Sequence, residues 1–292
     1  MIQEIKNNLQ IIIPHIARNN ELLKINIPYI QANLSPKEIV ILSKKDTIDT
    51  ISNEYVDYSN IIFLDEDSIY PNLTFSRIKE LLSKTKCEED KTGWYFQQFL
   101  KFAWSFNPKA ADYYLTWDSD TIPLQKISFF SDDGKPYFLK KYEYNHSYFQ
   151  TLEKLLGLKK ENDFSFIAES MLFSNKIVKE LIETIEKNKE LSGLTFYEKI
   201  LSLIDYADKP RKAFSEFETY GTYVSKYYPD LYITKEIKAF RMGARRYGLN
   251  PTHYDLKRES KKYETISFER WNKIIPLYNN LQHLLSKTIF RG

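Results

Sequence analysis

One cysteine, Cys87, stands in a chain of 292 residues. A disulfide framework and a cysteine-based zinc cluster are thereby excluded. Cys87 lies in a polar stretch without a neighbouring acid–base partner and reads as incidental. Four histidines leave too few side chains for a His-rich metal centre. With only 8 glycines, and no GxGxxG or GxxxxGK[ST] string, Gly-rich phosphate loops are excluded as well. No apolar run approaches the roughly 20 residues that a membrane span needs. The apolar stretch near the N-terminus stops at Pro14, too short for the core of a secretion signal. The expectation is a cytoplasmic protein, with a peripheral place on the inner face of a membrane left open.

Net charge is also scarce, at +3, but it is unevenly spread. From Lys235 onward there are 13 Lys and Arg against 5 Asp and Glu, a net of +8. Residues 1–234 therefore carry −5. Such asymmetry points to a basic tail that faces something anionic, such as an anionic membrane.

Four apolar runs read as strands: residues 10–15, 38–45, 60–67 and 112–120. The first three are almost continuously apolar, as strands buried on both faces of a parallel sheet are. Helical spacing separates them at 17–33 and 93–106. The fold class expected is therefore α/β, a mostly parallel Rossmann-like sheet flanked by helices. Ligands of such sheets bind outside the carboxyl ends of the strands. Polar clusters sit at those ends here: Ser43-Lys44-Lys45-Asp46, Asp65-Glu66-Asp67 and Asp118-Ser119-Asp120. Further helices are expected near 147–157, 175–190 and 194–205, with a strand-like run at 163–174. Trp271, Ile274, Ile275, Tyr278, Leu281 and Leu285 line one face of a last helix. The domain reading is a catalytic domain over 1–250 and a basic helical extension over 251–292.

Asp118 and Asp120 are the first candidates for chemistry. Two carboxylates two residues apart at a strand end can share one hard cation, which bridges to phosphate oxygens. Oxygen ligands suit Mg²⁺ or Mn²⁺. The bland alternative is a turn or cap after a strand. Asp65 and Asp67 offer the same spacing, but a surface-like loop follows them. Asp118 is instead preceded by a helix whose Trp94, Gln97, Gln98 and Lys101 share one face. That face suits the wall of a site, or an ordinary surface.

These segments resemble bacterial glycosyltransferases of the GT-A type. The likeness is greatest to an uncharacterised family with a Gly-Trp-x-x-Gln-Gln-x-x-Lys helix followed by a strand ending in Asp-x-Asp-Thr. Here the pattern is Gly93-Trp94-x-x-Gln97-Gln98-x-x-Lys101 and then Asp118-Ser119-Asp120-Thr121. Residues 166–174 and 214–221 are similar to later blocks, so the resemblance covers roughly 10–250. The chain departs from the pattern at Ser170, where a His is expected. The resemblance implies a GT-A-like domain and sugar transfer from a nucleotide-sugar donor (a UDP-, GDP- or CMP-sugar). It implies an acceptor that is a glycan or a lipid-linked surface polysaccharide, such as lipopolysaccharide or capsule. It also implies Mn²⁺ or Mg²⁺ on Asp118 and Asp120, with Asp118 reaching metal or ribose.

Three acids compete for the general base an inverting transferase needs: Glu216, Glu218 and Glu169. As a strand, 213–228 would point Glu216 and Glu218 to one face; as a helix start, Ser215 and Glu218 would form a capping box. Glu169 lies among Ile167, Met171 and Leu172, surroundings that raise a carboxyl pKa. His253 is a third metal-ligand candidate or a plain loop histidine. His15, Lys44, Gln98, Lys101 and Arg245 are candidates for the donor, and Arg241 and Arg246 accompany Arg245 as diphosphate ligands or a solvated face. His146 and His283 read as surface positions. Two other classes fit the same acids and basic flank. One is a metal-dependent phosphoryl-transfer enzyme (a nuclease or nucleotidyltransferase), for which Asp65 and Asp67 would also be essential. The other is a non-catalytic carbohydrate-binding or membrane-surface module. No nucleic acid partner is expected.

Overall fold

A computed structural model describes residues 8–269, so the helix expected over 271–290, and His283 with it, lies outside the described residues. The chain runs β1 (Gln10–Pro14), α1 (Asn20–Leu34), β2 (Glu38–Ser43), α2 (Lys45–Ile51) and β3 (Ile61–Asp65). It continues through α3 (Phe75–Leu82), α4 (Thr92–Ala103), β4 (Tyr113–Trp117), β5 (Thr121–Pro123), β6 (Tyr137–Leu139) and α5 (His146–Leu156). Next come β7 (Ser170–Ser174), α6 (Asn175–Lys187), α7 (Phe196–Ser202), α8 (Glu216–Tyr227) and β8 (Ile233–Lys235). The last elements are β9 (Ala239–Phe240), α9 (Gly243–Tyr247), α10 (His253–Glu259) and β10 (Thr265–Ser267).

These elements form two compact units. The first comprises residues up to 16, 37–117 and 129–236. Its sheet has the order β3-β2-β1-β4-β7, with β1 to β4 parallel and β7 antiparallel at the edge. Every residue of β1 is buried, which is why Ile11, Ile12 and Ile13 need no polar alternation. On α4 the residues Tyr95, Phe96, Phe99, Leu100 and Phe102 are buried; on α6 the same holds for Ile177, Val178, Leu181, Ile182 and Ile185. The α6 set repeats at i, i+1, i+4, i+5 and i+8, one stripe of a helix. Each such side chain contributes roughly 1.5–3 kcal/mol by leaving water. Cys87 joins this core, and burial pushes its thiol up to about 11, so it stays protonated at neutral pH.

Two local expectations change. The run 163–174 is a strand only from Ser170, because its first half bends to pair Ser165 with Lys141. Residues 216–227 are helical, not extended, and Ser215 is the N-cap, accepting from the Glu218 N–H at 3.2 Å. A helix separates neighbours by about 100°, so Glu216 and Glu218 diverge instead of sharing a face.

The second unit comprises, among the described residues, 17–36, 118–128 and 237–269. Its small sheet has the order β5-β10-β9. Leu22, Ile122, Leu124, Ala244, Leu256, Ile266 and Phe268 form its core. Gly243 is required here, since a Cβ would stand 2.7 Å from the Ser267 carbonyl oxygen. The boundary expected at residue 250 is not where the contacts divide. Residues 251–269 share an apolar core with α1 and with the segment after β4, and so complete a unit rather than extend one.

Candidate active site

The carboxyl ends of the parallel strands carry polar residues within the first unit. His15 follows β1 and is 2% exposed. Its N–H reaches the Leu42 carbonyl at 2.8 Å and its carbonyl accepts from the Ser43 hydroxyl at 2.9 Å. Lys44, exposed at the end of β2, holds its ammonium 4.1 Å from the Phe75 ring centroid. After β3, Asp65 accepts from the Asp67 N–H at 3.1 Å and Asp67 accepts from the Phe75 N–H at 2.7 Å. These two aspartates therefore brace a turn. Glu66 between them is 5% exposed. Burial, reinforced by Asp67 and opposed by Lys44, pushes its carboxyl up to about 8.

The Gln-Gln-x-x-Lys helix is not a surface face. Gln98 and Lys101 are each 2% exposed. The Lys101 ammonium meets Glu216 Oε1 at 2.9 Å and lies 4.5 Å from the Phe217 ring centroid. Gln98 Oε1 accepts from the Glu216 N–H at 3.1 Å, which satisfies one of the orphan donors at the start of α8. Glu218 does not complete a capping box. Its Oε1 accepts instead from the Ser165 hydroxyl at 2.6 Å and the Phe166 N–H at 3.2 Å, while Oε2 is enclosed without a hydrogen bond. Burial raises the Glu218 pKa; Ser165, Lys160 and the Phe166 N–H pull the other way. Glu169 is also buried, with Lys141 at 3.8 Å. Because Trp117 pairs with Ser170, Glu169 falls one residue beyond the carboxyl end of β4. Tyr148, stacked on Trp94 at 6.4 Å, is pushed up to about 12 by burial first and then by the charges of Glu216 and Glu218. The first unit thus gathers all three acids named from the sequence. They differ in state: one is ion-paired and sealed, one has a raised pKa, and one lies just past the carboxyl end of β4.

The Asp-Ser-Asp segment belongs to the second unit and forms a turn, closed by the Thr121 N–H on the Asp118 carbonyl at 3.0 Å. Asp118 and Asp120 are half-buried, and Ser119 is buried. The Ser119 hydroxyl accepts from Asn19 at 3.2 Å, and its carbonyl accepts from the Asn26 amide at 3.3 Å. The Asp120 carbonyl accepts from the Phe268 N–H at 2.8 Å. Three backbone or hydroxyl anchors on one turn hold the two carboxylates at fixed spacing. Sequence reasoning missed the two asparagines. The available signal was Asn26, fully buried inside the apolar stripe of α1 between Leu22, Leu23, Ile27 and Ile30.

His253 is exposed at the start of α10, with Nδ1 2.8 Å from the Tyr29 hydroxyl. Among the described residues no group of three His, Cys, Asp or Glu side chains is placed to hold a metal ion. The basic tail is partly neutralised from within. Arg241 binds Glu269 at 2.6 Å, and Arg246 and Arg258 lie 3.5 and 3.7 Å from buried Glu259. Arg246 is thus a core-edge partner. Arg245 is exposed and makes no hydrogen bond or ion pair among the described residues.

Residues 6–244 match the profile "Family of unknown function (DUF6492)". The chain belongs to that family. No curated protein matches the sequence. Among solved structures, this DUF6492 chain is similar to mouse xyloside xylosyltransferase 1, at 12% identity and a TM-score of 0.47, over 92% of this chain and 99% of that one. It is similar to galactosyltransferase LgtC with donor and acceptor sugar analogues, at 11% identity and a TM-score of 0.43, over 89% of this chain and 86% of that one. A third likeness is to the glycosyltransferase GlyE of Streptococcus pneumoniae, at 13% identity and a TM-score of 0.42, over 94% of this chain and 59% of that one. Among the described residues no helix is long and apolar enough to cross a membrane.

Proposed function

We propose that this DUF6492 chain is a metal-dependent glycosyltransferase that takes a sugar from a nucleotide-sugar donor and passes it to a glycan or lipid-linked acceptor. The observation that carries the reading is the braced Asp118-Ser119-Asp120 turn directly after a parallel strand. Carboxylate oxygens suit Mg²⁺ or Mn²⁺, which keep coordination positions for water and substrate phosphate, and His253 remains the candidate for a further ligand. The cation, when bound, would neutralise charge developing on a nucleoside diphosphate leaving group. The resemblance carried by Gly93–Lys101 and Asp118–Thr121 supports the same chemistry.

Glu169 is the acid we assign to the acceptor hydroxyl, since it lies past the carboxyl end of β4. Glu216 is instead a positioning residue, sealed against Lys101. Lys101 and Gln98 therefore act on α8 rather than on the donor. Among the described arginines after residue 235, Arg245 is the one with charge to offer an anionic substrate. Asp65 and Asp67 spend oxygens on turn N–H groups, which weakens the phosphoryl-transfer alternative that needs them as ligands. A lipopolysaccharide or capsule acceptor, and with it a place on the inner membrane face, belongs to this reading.

The test is release of nucleoside diphosphate from a panel of UDP-, GDP- and CMP-sugars, with Mn²⁺ or with EDTA (CMP for the last donor). Turnover should require the cation. Asp118→Asn and Asp120→Asn should each lower it on the order of 100-fold, the scale of losing one electrostatic stabiliser. Unchanged turnover in Asp120→Asn, or turnover in EDTA, defeats the proposal.

A further inference from the structure

Asparagines stand at 19, 26 and 33, seven residues apart along α1 and the residue before it. Seven residues make two helical turns less about 20°, so the three follow one stripe. All three donate to the segment after β4, within the second unit. Asn19 Nδ2 donates to the Ser119 hydroxyl at 3.2 Å and Asn26 Nδ2 to the Ser119 carbonyl at 3.3 Å. Asn33 Nδ2 donates to the carbonyl of Pro123, at the end of β5, at 2.7 Å. Two of the three work against their own helix. Asn19 occupies the N-cap position of α1, where an asparagine oxygen ordinarily accepts from a backbone N–H, yet its side chain makes no cap bond. Asn26 is fully buried among Leu22, Leu23, Ile27 and Ile30, and its Oδ1 is enclosed without a hydrogen bond. Leucine, of nearly the same shape, would continue that stripe without the burial cost of the oxygen. Reversing the Asn26 amide would set its oxygen against the Ser119 carbonyl, so the contact itself fixes the orientation. Both departures from local preference end on Ser119, the residue between Asp118 and Asp120.

We propose that Asn19 and Asn26 are positioning residues that set how tightly Asp118 and Asp120 hold a divalent cation, while Asn33, on the same stripe, serves the fold alone. This rests on the metal-dependent reading above. The Ser119 carbonyl belongs to the planar peptide that leads to Asp120. A bond to that carbonyl stops the peptide from rotating, and so fixes the direction in which the Asp120 side chain leaves the chain. The bond to the Ser119 hydroxyl holds the same residue from its other side. Carboxylates fixed before the cation arrives need no further ordering when it binds, and the entropy of that ordering is saved. Asn33 holds β5 beyond the turn, where the direction of the two carboxylates is already decided. The fold gives up a cap at Asn19 and an apolar side chain at Asn26, and the turn gains rigidity.

Mn²⁺ affinity is measured on the full chain from the loss of the free-ion EPR signal, with the cation titrated into the millimolar range. The Tm of each protein is measured in EDTA. Asn26→Leu should bind Mn²⁺ about tenfold more weakly than the wild type, the lower end of what residues supporting metal ligands contribute. Its Tm should stay within about 3 °C of the wild type, because the lost Ser119 bond is offset by removal of an enclosed, unbonded oxygen. Asn19→Ala forfeits no cap bond and should weaken Mn²⁺ about threefold or more at an unchanged Tm. It decides the question should Asn26→Leu fail to fold. Asn33→Leu should show the reverse pattern, a Tm lowered by several degrees and a Mn²⁺ affinity within about twofold of the wild type. Asn19→Ala or a folded Asn26→Leu that binds Mn²⁺ as tightly as the wild type overturns the inference. So does an equal loss of affinity in Asn33→Leu, which would make all three asparagines plain supports of the fold. A wild type that binds no Mn²⁺, or an Asp120→Asn that binds it as the wild type does, overturns the metal-dependent reading itself, and this inference with it.

Discussion

Removing Lys101 alone should damage this protein more than removing Lys101 and Glu216 together. The two charges meet at 2.9 Å, with side chains 3% and 6% exposed. At an effective dielectric of about 20, that separation is worth about 6 kcal/mol of attraction. Desolvating the two ions costs several kcal/mol each, so the intact pair contributes little net stability. Lys101→Met leaves the carboxylate buried without its lysine, and the ring of Phe217 loses its cation. The expected cost is about 3–5 kcal/mol. Glu216→Leu, which removes the carboxylate from the ammonium, should cost a similar amount. The double variant replaces both ions by apolar groups and should lie within about 1–2 kcal/mol of the wild type. Urea unfolding at pH 7, followed by fluorescence of Trp94, Trp104 and Trp117, measures all four corners of the cycle. Single variants that each cost less than about 1 kcal/mol, or a double variant that costs the sum of the two, would refute the buried-pair account. The first outcome would return Lys101 to the donor-binding role that its sequence motif suggests.

Gly221→Ala should lower the Tm by several degrees, because a Cβ would stand 2.3 Å from the Phe166 ring and overpacking of this kind costs about 1–3 kcal/mol. A thermal melt within one degree of the wild type would mean that Phe166 can move aside. Glu218→Gln should flatten the pH dependence of stability. The folded-state pKa of Glu218 is raised, so its contribution is complete below the unfolded value near 4.5 and is lost as pH rises through the folded value. The variant should therefore gain on the wild type from pH 5 upward, and parallel pH–stability curves for the two proteins would contradict that assignment.

The strands were legible because burial on both faces demands continuous apolar residues, and β1 and β2 meet that demand; β3 carries the same pattern but is only half-buried, because it is the edge strand of its sheet. The Asp-Ser-Asp turn was legible for a related reason. Two acids directly after such a run fall where a strand must stop. By contrast, 213–228 was ambiguous between strand and helix. Its aromatic and polar residues satisfy both periods, and only the Ser215 cap and the Gln98 contact settle it as a helix. The acids there then go to Lys101 and Ser165, partners 115 and 53 residues away in sequence.

The sequence by itself determined the α/β class, the positions of the parallel strands and the carboxylates that follow β4. These depend on local period and on polarity, which each segment carries alone. Tertiary structure decided which charges are spent and which are available. It buried Lys101 against Glu216 and tied Arg246 and Arg258 to Glu259. It also divided the chain into units built from separated segments, so residues 251–269 complete a core with α1. The reason is physical: a charge is priced by what surrounds it, and its surroundings come from segments far away in the chain.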